Sequence, residues 1–215
     1  MMRRRVLFLF FCFFLLEKIS AQSSVDSTFS EEFKLGRFVG VAGGGTAFYG
    51  GMLTGLASVW YVDNYWVGFH VENDYAGWLQ IDKFGHAYTT YIMGKIGMDA
   101  LRWSGVKRKK AIWYGGMYGF LFMTSIEILD ANYLEWGFSP MDMVANGVGS
   151  MLLITQELAF KKQILTYKFS YHPTELAEQR PFLLGDSPMS RLVSDYNGQT
   201  FWLSLNLRSV FKNQN

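Results

Sequence analysis

The chain has 215 residues, half of them hydrophobic and 18% aromatic, with only 18% charged against about 25% in an average soluble domain. A formal net charge of +2, with no basic stripe threaded by aromatics, excludes a nucleic-acid partner, and a mean hydropathy of +0.07 excludes a chain of uninterrupted apolar spans. One cysteine excludes a disulfide framework and a thiolate metal site, and the length suits a single domain with its own core.

At the N-terminus Arg3, Arg4 and Arg5 precede an apolar run from Val6 to Leu16, and a short polar stretch leads to Ile19-Ser20-Ala21. Basic, apolar and small-residue regions in that order read as a secretory signal over residues 1–21, cleaved so that Gln22 begins the mature chain. Eleven apolar residues are too few for a stop-transfer span, which needs about 20. Loss of Arg3, Arg4, Arg5, Lys18 and Glu17 takes the 20 basic and 18 acidic side chains to 16 and 17, a net charge of −1. Cys12 follows bulky Phe10 and Phe11 inside the apolar run, so it is not placed for lipidation.

Residues 22–37 form an exposed lead-in to a core expected over 38–162. From Phe38 to Val62 there is no charge, and glycine recurs at 40, 43, 44, 45, 50, 51 and 55. That length reaches across a bilayer, and the glycines suit close helix–helix approach; a flexible or re-entrant apolar segment is the alternative. No lysine follows Gly43-Gly44-Gly45 at phosphate-loop spacing. Residues 63–81 are a polar connection whose Tyr65, Trp66, Tyr75 and Trp78 suit a membrane interface.

A helix is expected from Asp82 to Trp103, then a basic turn Lys107-Arg108-Lys109-Lys110, then a second helix from Ala111 to Asp130. After the loop 131–138, Ser139 caps a third helix with Pro140 at its first position, running to Phe160 before Lys161-Lys162. The tail 163–215 carries Pro173, Pro181 and Pro188 without helical period, and ends in a strand over 200–208 where Phe201, Leu203, Leu205 and Leu207 alternate with polar residues. A lone strand must pair or lie against the core. The fold class is mainly α: a short membrane-associated bundle of about four apolar helices with a mostly irregular C-terminal tail ending in a strand.

Polar residues gather where these helices begin and end. Asp82, Lys83 and His86 open the first helix; Glu127 and Asp130 close the second; Ser139, Asp142 and Asn146 open the third. If the helices run up and down with short connections, all eight meet at one end, and the basic residues at 107–110 and 161–162 fall at the other. Positive-inside reasoning then turns the polar cluster toward the periplasm of an inner membrane, provided that 38–62 does not cross; the outer membrane and the soluble periplasm are the alternatives.

The combination Asp82-Lys83-x-x-His86, Glu127-x-x-Asp130 and Phe138-Ser139-x-x-Asp142-x-x-x-Asn146-x-x-Gly149 resembles the YfiM-like family of bacterial envelope proteins, a domain of unknown function, over roughly residues 38–160. More distantly it is similar to VanZ-like membrane proteins, which are linked to glycopeptide-antibiotic tolerance. Members of the first family are often labelled lipoproteins, a label that Cys12 does not support here. The resemblance implies envelope work without supplying a reaction.

Two functions are therefore expected as alternatives. The favoured one is a non-enzymatic membrane-associated binding or structural factor, with a membrane lipid or envelope component as partner and the cluster as a hydrogen-bonded network. The other is a membrane-interface enzyme acting on a phosphorylated or lipid-linked envelope substrate through His86, Glu127 and Asp142. His86, Glu127, Asp130 and Asp142 together could ligate a divalent ion, but one histidine without a His-Glu-x-x-His pattern argues against it, so neither metal nor cofactor is expected. Ser125 and Ser139 lack the setting of a nucleophile, and His70 and His172 lie outside the helical motifs.

Overall fold

The computed structural model describes residues 32–61, 64–75 and 77–207. The expected signal, residues 22–31 of the lead-in and Arg208 of the expected strand lie outside the described residues.

The glycine-rich segment is one helix, α1, over Leu35–Trp60. Its half-buried positions Phe38, Val41, Gly45, Phe48, Tyr49, Met52, Leu53 and Leu56 recur at helical spacing and face the bundle. Tyr118 donates its hydroxyl to the Gly45 carbonyl at 2.7 Å, and the Tyr49 ring meets Phe122 edge-on at 5.4 Å. Six of the seven glycines do not serve close packing among the described residues. A Cβ at Gly40, Gly43, Gly44, Gly50, Gly51 or Gly55 would meet nothing within 4 Å, because they fall on the outward face or on the loosely seated part of the helix. They also dilute its apolar character: among the described residues only Pro140–Phe160 is both long and apolar enough to cross a membrane.

A single 3-10 turn, Gly77–Gln80, leads into α2, Ile81–Trp103, the central helix of the bundle. It packs against α3 (Arg108–Gly116), α4 (Tyr118–Asp130) and α5 (Pro140–Phe160). Tyr91, Met98, Ile112, Leu153 and Ile154 are shut off from solvent at its centre. The close-packing glycines are here. A Cβ on Gly115 would lie 2.3 Å from the Met98 backbone, one on Gly119 2.3 Å from the Thr90 carbonyl, and one on Gly149 2.1 Å from the Ala87 carbonyl.

The expected helix over 111–130 is two helices broken at Met117, and the expected basic turn is partly helical, since 108–110 form the first turn of α3. Arg108 accounts for the early start: its guanidinium reaches back to the Glu157 carbonyl and lies 3.0 Å from the buried Glu157 carboxylate. Sequence order alone gave no hint of that acid at the basic end.

The C-terminal strand finds its partner. Strand β1, Leu165–Tyr171, pairs antiparallel with β2, Gln199–Leu205, in the register Leu165↔Leu205 to Tyr171↔Gln199. One face of this hairpin lies on α2, with Phe169 5.5 Å from the Tyr88 ring and Phe201 5.0 Å from Phe169. Between the strands run three short helices, α6 (Glu175–Gln179), α7 (Pro181–Leu184) and α8 (Pro188–Ser194), two of them opening at prolines.

Candidate functional site

All eight residues of the expected constellation meet at one end of the bundle. Asp82, Lys83 and His86 come from the first turns of α2, Glu127 and Asp130 from the last turn of α4, and Ser139, Asp142 and Asn146 from the start of α5. Ser139 caps α5 as its sequence implies: its hydroxyl accepts the Asp142 amide at 3.1 Å, with Pro140 next. At α2 the local chemistry differs. Asp82 sits in the first turn, and the capping position is Gln80, held left-handed at φ 67° without a side-chain cap.

Lys83 is the centre of charge. Its ammonium pairs with Asp74, lies 3.1 Å from Asp82 Oδ2 and 2.8 Å from Asp142 Oδ1, and its side chain is only 12% exposed. Burial alone would lower its pKa, but the Asp142 and Asp74 carboxylates win and raise it. For Asp74, hydrogen bonds from Lys83 and Ser139 outweigh burial and hold it below the usual carboxylate range.

His86 donates from Nδ1 to the fully buried Asn146 Oδ1 at 3.2 Å. Thr90 donates to the same oxygen at 3.1 Å. Carboxylates ring the imidazole farther out: Glu127 at 3.7 Å from Nδ1, and Asp82 and Asp142 each at 3.9 Å from Nε2. Glu127 is buried and accepts the Ser139 amide at 3.2 Å. Burial, with the field of Asp142 added, pushes Glu127 up to about 8. Burial likewise raises Asp130 to about 6, against a hydrogen bond from the Tyr61 hydroxyl that pulls it back. Asp142 is raised by burial, which outweighs the opposing pull of His86 and Lys83.

Four contributors were not picked out from the sequence. Thr90 was legible, since 82, 86 and 90 share one helical face. Asp74, Tyr61 and Tyr196 were not. Asp74 arrives because residues 65–72 thread along the 131–138 loop, with Val67, His70 and Glu72 amides bonded to the carbonyls of Asn132, Ala131 and Phe138. Tyr196 comes from the far end of the tail and donates its hydroxyl to Asp82 Oδ1 at 2.9 Å. His70 has a scaffolding place in that threading, with Nε2 2.5 Å from the Trp136 carbonyl. Tyr65, Trp66 and Tyr75 in the same segment are exposed; the Trp78 side chain lies outside the described residues.

Chemically, the cluster offers acid–base groups near neutrality. Asp82, His86 and Asp142 bring one ligand atom each within 4.8 Å of one another, the arrangement that could hold an ion. Lys83 already pairs with Asp142 and Asp82 there, so an incoming cation would compete with a resident ammonium.

Residues 66–156 match the family model described as predicted periplasmic lipoprotein, DUF2279. The match is narrower than the stretch from 38 to 160 read from the motifs, yet it contains all eight residues of the constellation; Cys12 lies outside it. No curated protein and no solved structure matches the chain.

Proposed function

We propose that this protein, an envelope protein by its 66–156 segment, is a non-enzymatic membrane-associated factor whose polar cluster locks the bundle into one arrangement. The observation that carries this reading is Lys83, which joins carboxylates from the 65–75 segment, α2 and α5 at a single buried ammonium. Tyr61 and Tyr196 extend the same tie to α1 and the tail. A group so fully engaged inside the chain is suited to fixing structure, because removing the ammonium leaves several carboxylates crowded together without a counter-charge.

Membrane association is supported by α5. Met141, Val144, Val148, Met151 and Leu158 are exposed at helical spacing along its length, an apolar flank with no cover among the described residues. We place this flank against the periplasmic side of the inner membrane, with the polar cluster facing the periplasm. Carbonate extraction of separated inner and outer membranes tests that placement: recovery in the outer membrane, or release with soluble periplasm, overturns it.

The enzyme alternative draws on one observation, a carboxyl raised to about 8 at Glu127 beside a histidine. The two readings separate in a deletion strain complemented with His86→Ala or Glu127→Gln, scored for envelope-stress survival and for protein abundance. Survival falling in step with abundance supports the structural network. Full abundance with no survival sinks it and leaves the enzyme.

A further inference from the structure

At the end of the bundle away from the polar cluster, Phe33, Phe38, Leu101 and Tyr114 line an open cavity of about 540 Å³, with Lys107 and Lys110 also in its lining. That volume lies within the roughly 300–1,000 Å³ of small-ligand sites. The walls are set in place by local chemistry. Gly105 turns at φ +83°, and a Cβ there would lie 2.0 Å from the Glu32 carbonyl oxygen, so the chain before α1 presses onto this turn. Lys34 donates its amide to the Ser104 carbonyl at 2.9 Å. Arg37 bonds the Trp103 carbonyl at 3.2 Å with its guanidinium 4.5 Å above the indole ring. A site held this way is preformed, which limits the ordering cost of a ligand.

Its electrostatics are one-sided. Among the described residues that line the cavity none is an aspartate or glutamate, and Glu32 lies in the adjoining segment before Phe33. Lys107 and Lys110 are exposed and in no salt bridge among the described residues, and Lys34, Arg37 and Lys109 lie in the same wall-forming segments. Lys107 occupies the capping position of α3 without a side-chain cap, and Arg108, Lys109 and Lys110 fill its first turn. Cations at a helix N-terminus oppose the helix dipole, and an anion placed there relieves both charges.

We infer that this groove binds an anionic phospholipid, one acyl chain between the Phe33–Phe38 and Leu101–Tyr114 walls and the phosphate at Lys107 and Lys110. An acyl chain accounts for the apolar walls, and a phosphate accounts for unpaired lysines at the uncapped start of α3. The inference rests on the envelope location and is independent of what the Lys83 network does.

The test uses the protein purified from membranes in mild detergent and titrated with short-chain phosphatidylglycerol or phosphatidylcholine. Phosphatidylglycerol binds at least about tenfold more tightly, and Lys107→Glu with Lys110→Glu removes that preference, on the order of the attraction two surface cations supply. Ala42→Trp, which fills the apolar wall, weakens both lipids. Both lysines are exposed and in no salt bridge among the described residues, so their double variant does not lower the melting temperature and decides the matter even if Ala42→Trp fails to fold. Equal affinity for the two lipids overturns the inference, as does a double variant that still prefers phosphatidylglycerol. Binding of neither lipid overturns it too.

Discussion

Lys83 Nζ lies 2.8 Å from Asp142 Oδ1, joining the first turn of α2 to the first turn of α5 at the buried end of the bundle. The contact closes a loop of nearly sixty residues and sits where the 65–75 segment, α2, α4 and the tail converge.

Lys83→Met removes the one ammonium that the described residues bring among these carboxylates. Breaking one side of a buried pair typically costs about 3–5 kcal/mol, which in a chain of this size lowers Tm by roughly 6–20 °C. Thermal unfolding followed by circular dichroism at neutral pH measures it. A Tm within about 2 °C of wild type would show that the network is not a structural tie.

Stability should fall as pH rises from about 5 to about 8. Burial raises Glu127 from 4.5 to about 8 and Asp130 from 3.8 to about 6, so the folded chain holds protons that the unfolded chain has already released. Their contribution is complete below the unfolded values and disappears as pH passes the folded ones. Glu127→Gln should flatten the upper part of this slope, which for one group reaches at most about 1.4 kcal/mol per pH unit. Asp74, held low by Lys83, has the opposite sign and matters only at acid pH below its ordinary range. Melting curves across the range, wild type against variant, decide the point; parallel curves would refute it.

Two glycines of α5 should respond to alanine in opposite directions. At Gly149 the added methyl would sit 2.1 Å from the Ala87 carbonyl oxygen, forcing α2 and α5 apart, whereas at Gly147 it meets nothing within 4 Å. Gly149→Ala is expected to cost more than about 2 kcal/mol by overpacking, and Gly147→Ala to stabilise by about 0.5–1 kcal/mol through helix propensity. Urea titration of the pair tests the α2–α5 contact, and equal effects would contradict it.

Ser139→Ala should cost about 1–2 kcal/mol. It removes the cap of α5 and the hydroxyl that bonds Asp74 Oδ1 at 2.8 Å. Ser139→Asp restores a capping acceptor but adds a carboxylate beside Asp74 and Asp142, so it should not rescue. Recovery of wild-type Tm in Ser139→Asp would mean that the cap alone matters.

Local spacing in the sequence determined a good deal of this protein. The Ser139-Pro140 start of α5, the shared face of Asp82 and His86, and the convergence of eight polar residues at one end all follow from helical period and short connections, which fix geometry over a few turns. The envelope assignment also came from residue patterns, and the 66–156 match agrees with it. The hairpin was half legible: Leu165, Tyr167, Phe169 and Tyr171 alternate as plainly as the later strand, but they follow a helix and their partner lies some thirty residues on.

The tertiary structure alone decided which distant groups complete the cluster and which glycines pack. Asp74 and Tyr196 reach Lys83 and Asp82 through segments without helical or strand period, so no spacing rule places them. The break at Met117 and the burial of Glu157 at the basic end depend on α2 and Arg108, contacts made across the fold. Burial sets the titration of Glu127 and Asp130, and burial belongs to the packed bundle: a carboxyl loses its water only when other segments take the water's place.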